Sequence, residues 1–226
     1  MFLLACTDER GPRDPSDVVE YDGYLFAGPT DQEVQLTGGS VVFTPDEGEA
    51  VEAEQPFVDD YPGYWRASLP PSAPFALRIV GNTGYPAVWR GVSPGADGSW
   101  FSGALFGGDT EQVDAFLGAL DLPATITVAP LNEGAYAHVW GYPWVAAGWD
   151  CALVTVNGAR PLCYLQDPET GFVSRVDSGA FTYFVGLNVP PGAVVVDSGI
   201  GGVETYVAEG GDMVYAFWFS VTGEGG

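Results

Sequence analysis

The chain reads as an all-β protein: two tandem small antiparallel β-sandwiches of the transthyretin-like or Ig-like kind, with one short linking helix. Three observations predict this. Short apolar or alternating runs recur along the whole chain, each closed by Gly, Asn or Pro. The 32 Gly and 18 Pro among 226 residues require frequent turns. Only one stretch, around 107–123, carries the apolar spacing of a helix. With 46% apolar residues there is material for two cores.

Taken in order, residues 1–17 open with Met-Phe-Leu-Leu-Ala-Cys and continue as a polar, Pro-containing tether. The first sandwich is expected over 18–106. Its strands are Val19–Phe26, Gly39–Thr44, Gly63–Leu69, Pro74–Val80, Gly84–Gly91 and Trp100–Leu105, with a Pro70-Pro71 turn between the third and fourth. Asp46, Glu47, Glu49, Glu52, Glu54, Asp59 and Asp60 crowd one loop with no base among them. In the linker 107–123, Val113, Phe116, Leu117 and Leu120 fall at i, i+3, i+4 and i+7, the stripe of an amphipathic helix. Asp109 or Thr110 caps it, Glu111 and Asp114 suit its first turn, and Pro123 ends it.

The second sandwich is expected over 124–222. Its organising stretch is 151–196: a strand to Val156, an Asn157-Gly158 turn, Pro161–Leu165, an Asp-Pro-Glu-Thr-Gly turn, a strand through Phe184, and a Pro190-Pro191-Gly192 turn into Val194–Val196. Glu204–Ala208 and Met213–Val221 read as a closing hairpin through Glu209-Gly210-Gly211-Asp212. The order repeats that of the first half. Tyr21–Tyr24 matches Val139–Tyr142, Val41–Thr44 matches Val154–Asn157, and Leu69-Pro70-Pro71 matches Val189-Pro190-Pro191. A repeat of this length is too long for a solenoid and fits two separately folding units. The pattern over 135–221 resembles the carboxypeptidase regulatory-like family, which implies the transthyretin (prealbumin) sandwich.

Thirty acidic residues face seven Arg and no Lys, for a net charge of −23. Such a surface repels nucleic acid and anionic headgroups, so nucleic-acid binding is excluded. Leu3-Leu4-Ala5-Cys6 resembles the bacterial lipobox, although no basic segment precedes it. The resemblance implies lipidation at Cys6, attachment to the membrane through that lipid, and export to the outer membrane or cell surface. Of the three Cys, Cys151 and Cys163 lie twelve residues apart in the sequence. An oxidising compartment and a hairpin at Asn157-Gly158 would pair them; the alternative is two buried thiols.

His138 is the single histidine, in an alternating Tyr-Ala-His-Val-Trp run. One His and two paired Cys supply neither a catalytic triad nor a zinc site, so no catalytic residue and no cofactor is expected. The carboxylates leave open an acid-rich hydrolase, for which a two-carboxylate cleft would be needed. The acidic loop, with Asp46, Glu47, Glu49, Asp59 and Asp60 as its best oxygens, offers a weak Ca²⁺ candidate; its spacing departs from the EF-hand, and the plainer reading is a solvated loop. Trp140, Tyr142, Trp144 and Trp149 form the remaining candidate, either as an exposed ladder for stacking on sugar rings or as core packing. The sequence thus points to a non-enzymatic surface or periplasmic lipoprotein for adhesion, scaffolding or binding of a protein or glycan ligand, with a carbohydrate-binding module as the alternative.

Overall fold

The computed structural model describes residues 18–27, 40–54, 64–80, 84–93, 102–144, 149–167, 169–170, 173–199 and 202–219. The first half contains β1 (Val19–Ala27), β2 (Ser40–Pro45), β3 (Val51–Glu52), β4 (Tyr64–Leu69), β5 (Pro74–Val80), β6 (Gly84–Tyr85), β7 (Ala87–Val92) and β8 (Ser102–Asp109), followed by α1 (Thr110–Ala119). The second half contains β9 (Ala137–Trp144), β10 (Thr155–Val156), β11 (Leu162–Gln166), β12 (Val173–Val176), β13 (Tyr183–Val189), β14 (Gly192–Asp197), β15 (Val203–Ala208) and β16 (Met213–Phe219). The protein is mostly β, as its composition and turn punctuation require.

Among the described residues the strands form three sheets. One has the order β4-β1-β8-β6, one β10-β14-β15, and a nine-stranded sheet runs β12-β11-β13-β9-β16-β7-β5-β2-β3. The long sheet is assembled from both halves. Its join is β16, which pairs in parallel with β9 on one side and with β7 on the other, setting Met213 opposite His138 and Ala87. The long sheet therefore hydrogen-bonds across the expected boundary near 124.

Period-two alternation places successive side chains on opposite faces. On one face Val41, Phe43, Phe75, Leu77, Ile79, Met213 and Tyr215 meet Tyr21, Trp65, Ala67 and Leu69 of the four-stranded sheet. The rings of Tyr21 and Trp65 lie 5.1 Å apart, and those of Phe43 and Phe75 5.0 Å. Val113 and Leu117 of α1, and Leu120 just beyond its end, belong to this same core, as the helical stripe predicts, and so do Trp140 and Tyr164 from the second half. On the opposite face Val88, Val139, Cys163, Phe184, Val214 and Ala216 meet Val194, Val196, Tyr206 and Ala208 of the three-stranded sheet. The two cores thus lie on opposite faces of one sheet.

The halves share a strand plan. β1 lies between β4, antiparallel, and β8, parallel; β9 lies between β13, antiparallel, and β16, parallel. β2 pairs with β5 and β5 with β7, as β10 pairs with β14 and β14 with β15. Gly141 of β9 is opposite Phe184, whose ring covers it so closely that a Cβ there would sit 1.9 Å from the ring edge. Packing of one strand's aromatic on the other's glycine requires this residue.

Several connections differ from the sequence expectation. The Pro70-Pro71 and Pro190-Pro191 turns, and the Gly210-Gly211 turn, do not close hairpins; each carries the chain from one sheet into another. β15 belongs to the three-stranded sheet and β16 to the long one. The Asn157-Gly158 turn is a true two-residue hairpin: Val156 and Ala159 exchange both backbone bonds, and φ is 49° and 75° at its centre. These positive values are the type I′ combination that Asn-Gly favours. Its strands then part, β10 to β14 and β11 to β12 and β13. Short corner turns satisfy both layers once opposite faces must be buried, and local turn chemistry does not say which sheet the next strand joins. Among the described residues, no helix is long and apolar enough to cross a membrane.

Candidate functional site

Cys151 and Cys163 are joined by a disulfide with 6.0 Å between their Cα atoms. Cys163 lies on β11 in the long sheet, and Cys151 lies in the turn that leads to β10 of the three-stranded sheet. The bridge therefore staples one layer to the approach of the other, inside the second core. Asp150 braces the same turn. Its Oδ1 accepts the Ala152 N–H at 2.8 Å and the Gly179 N–H at 2.7 Å, and these two bonds hold its carboxyl below the usual range. A disulfide of this kind is a mark of an extracytoplasmic location.

His138 is fully buried and serves as a structural clasp. Asn188 donates its backbone N–H to His138 Nδ1 at 3.1 Å, so Nε2 carries the proton and donates to the Ala129 carbonyl at 3.2 Å. Burial lowers the pKa of the ring, against the opposing effect of its carbonyl partners. Asn188 sits at a bulge of β13 with φ 55°. Its side chain accepts the Ala129 N–H and donates to the Thr127 carbonyl, both at 2.8 Å. His138 and Asn188 together anchor the segment around Thr127 and Ala129, ahead of β9, on the second sandwich. The alternating run around His138 fits its place on β9, whereas the role of Asn188 has no signal in the sequence beyond an Asn two residues ahead of a Pro-Pro turn.

Beside this clasp lies a cleft of about 250 Å³, lined by Ile126, Val156, Arg160, Leu162, Leu187 and Asn188 among others. Among the described residues, Arg160 is the only titratable one in the lining. The Asn188 amide is already committed to Thr127 and Ala129, so the described lining offers apolar walls and one cation.

The aromatic candidates separate. Trp140 and Trp149 are buried, Trp140 in the first core and Trp149 in the second. Trp140 packs edge-on to Tyr215 at 6.2 Å between centroids and tilted against Tyr183 at 6.5 Å. Neither presents a face to a ligand, which corrects the exposed-ladder reading for these two: large aromatics gain more from burial in a core than from exposure. Tyr142 and Trp144 occupy positions on β9, but their side chains lie outside what is described.

The acidic loop is less uniform than its sequence. Arg90, from β7, reaches Asp46 at 2.9 and 3.1 Å, and Arg66, from β4, reaches Glu54 at 2.8 Å through Nε. The loop therefore borrows its bases from neighbouring strands. Glu47, Glu49 and Glu52 are exposed, and Asp59, Asp60 and the lipidation candidate Cys6 lie outside the described residues. Among the described residues, no three or more His, Cys, Asp or Glu side chains converge on a common point.

Two side chains that no sequence pattern marks tie the halves together. Arg78 of β5 donates to Asp212 Oδ2 at 2.8 Å and to Oδ1 at 2.7 Å, and also to Glu209 at 2.9 Å. Asp212 further accepts the Glu209 N–H at 2.6 Å, and its own carbonyl accepts the His138 N–H at 3.0 Å. Burial holds the Asp212 carboxyl above the usual range, although Arg78 and the Glu209 N–H pull it down.

No protein-family model matches the chain, and no curated protein matches it either. Among solved structures it is similar to the Bacillus anthracis TIE protein, with 9% identity and a TM-score of 0.27 over 88% of this chain. The chain spans 33% of that protein's length, and at this TM-score the likeness carries no argument.

Proposed function

We propose that the chain is a non-enzymatic, exported lipoprotein whose two carboxypeptidase regulatory-like sandwiches display an adhesive or ligand-binding surface outside the cell. The disulfide that staples the two layers of the second sandwich carries this reading, because such a bridge is maintained where the surroundings are oxidising. The acidic, Lys-free surface supports it as a solubility device for an exported protein. Cys6 receives the lipid, the tether to residue 17 spans the distance from the membrane, and the ligand is a protein or a glycan.

The test has two arms. The protein is expressed from its native gene in a bacterial host, and Cys6 is examined by mass spectrometry for a diacylglycerol thioether, with protease shaving to report surface exposure. The protein starting after Cys6 is then applied to glycan and matrix-protein arrays. Lipid on Cys6 and capture by one array class are expected. An unmodified product retained in the cytoplasm overturns the anchor and the location together.

A further inference from the structure

The join between the two halves is itself an interface, and the strand plan repeats the elements that make it. In the first half β7 supplies the edge that β16 of the second half pairs with. The equivalent of β7 in the second half is β15, because each is the last strand hydrogen-bonded to the one after the Pro-Pro turn. The register carries the match to single residues. Leu77 pairs with Trp89 and Val196 with Glu204, so Val88 corresponds to Val203, Arg90 to Thr205 and Val92 to Val207. Val88 is 3% exposed because the second half covers it, whereas Val203 is 64% and Val207 72% exposed, with Val195 beside them at 38%.

Among the described residues, β15 is also an edge strand with no partner beyond β14. Asn157 bonds both the N–H and the C=O of Val195, at 2.7 Å each, so the Val195–Thr205 pair is a non-bonded one and Thr205 turns its own backbone groups away from β14. One of these is touched: Arg90, itself held by Asp46, donates to the Thr205 carbonyl at 3.2 Å. The complementary strand is β8, the equivalent of β16. It pairs with β1 from Ser102 to Gly107, and on its other side, among the described residues, with β6 at Gly108 and Asp109.

We propose that β15 of one chain receives β8 of a second copy in parallel, repeating between molecules the β7–β16 join found within one. The register of that join sets Ser102 of one copy opposite Glu204 of the next. The contact is heterologous, so it propagates head to tail instead of closing as a two-fold dimer. Each molecule carries a net charge of −23, which opposes the contact at low salt and makes assembly depend on screening.

The experiment is sedimentation of the full chain, up to about 1 mM and from about 0.1 M to about 1 M salt, where the screening length falls from ~10 to ~3 Å. The variant is Val203→Lys with Thr205→Pro, whose proline removes an outward N–H from an edge strand; Val203→Lys alone serves if the double variant melts below the wild type. Salt-promoted oligomers larger than dimers are expected, with association at least ~10-fold weaker for the variant. In a mixture the variant should still bind wild type one to one, because its β8 is intact. A wild type that stays monomeric, association unchanged by the β15 variant, or a variant that no longer binds wild type would each overturn the proposal.

Discussion

Arg78→Met tests whether the halves are clamped as the structure shows. The substitution keeps the aliphatic stem and removes the guanidinium that bonds both oxygens of Asp212. The Asp212 side chain is 0% exposed and that of Arg78 27%. Stripping the partner from a buried carboxylate costs about 3–5 kcal/mol, and the partial exposure of Arg78 puts this case near the lower end, about 3 kcal/mol. The Glu209 N–H remains as a weaker partner. For a chain of this size that loss lowers Tm by roughly 6–12 °C. The pH dependence supplies a sharper test. The pKa of Asp212 is raised in the fold, chiefly by burial, so protonation favours the folded state. Its favourable contribution is present in acid and is lost as pH rises through the folded value. Without Arg78 less opposes the burial effect, so the folded pKa rises further. The stability gap between variant and wild type, measured by urea unfolding, should therefore narrow as pH falls from about 7 towards 5. Equal midpoints at neutral pH, or a gap that widens on acidification, would refute the clamp.

Other expectations follow from the same geometry. Replacing Cys151 and Cys163 by Ala opens a loop with a sequence separation of 12 and should cost about 3 kcal/mol; thiol counting of the denatured, unlipidated wild-type chain should find one free thiol, that of Cys6. His138 has a lowered folded pKa, so its contribution is intact above the unfolded value and is lost as pH falls through it. Wild type should lose stability in urea on acidification below ~6.5, and His138→Gln, which retains a donor and an acceptor, should lose less over the same interval. A protein comprising only residues 124–226 lacks β7 and Arg78, exposing one edge of β16 and leaving Asp212 without its guanidinium partner. Circular dichroism should show it melting well below the full chain; an equal melting temperature would mean that the parallel join contributes little.

Local chemistry was legible in the sequence wherever a few adjacent residues decide the outcome. Asn157-Gly158 makes the predicted turn, Val113 and Leu117 bury the predicted face of α1, and Asp167 opens its turn by accepting the N–H groups of Glu169 and Thr170. The strand order repeats as the paired motifs implied. What could not be read was where a strand goes after its turn, since the same Pro-Pro punctuation serves a hairpin or a change of layer. Arg78 and Asp212 are 134 residues apart, and nothing in either neighbourhood marks the pair. The tryptophans around 140–149 show the limit from the other side, for one sequence pattern describes both a binding ladder and a core.

β16 carries a signal that follows directly from its place. Met-Val-Tyr-Ala-Phe-Trp-Phe has no alternation, and a strand with such a run needs both faces covered. A closing hairpin at the edge of a small sandwich would leave one face or one edge in water. Met213 and Tyr215 instead enter one core and Val214 and Ala216 the other, while β7 and β9 pair with it in parallel from either side. Parallel partners cannot be reached through tight turns, so a strand of this composition has to seek neighbours contributed by distant segments. The unbroken apolar run thus encodes the fusion of the two halves, whereas β15, which alternates and exposes Val203 and Val207, has no partner beyond β14 among the described residues.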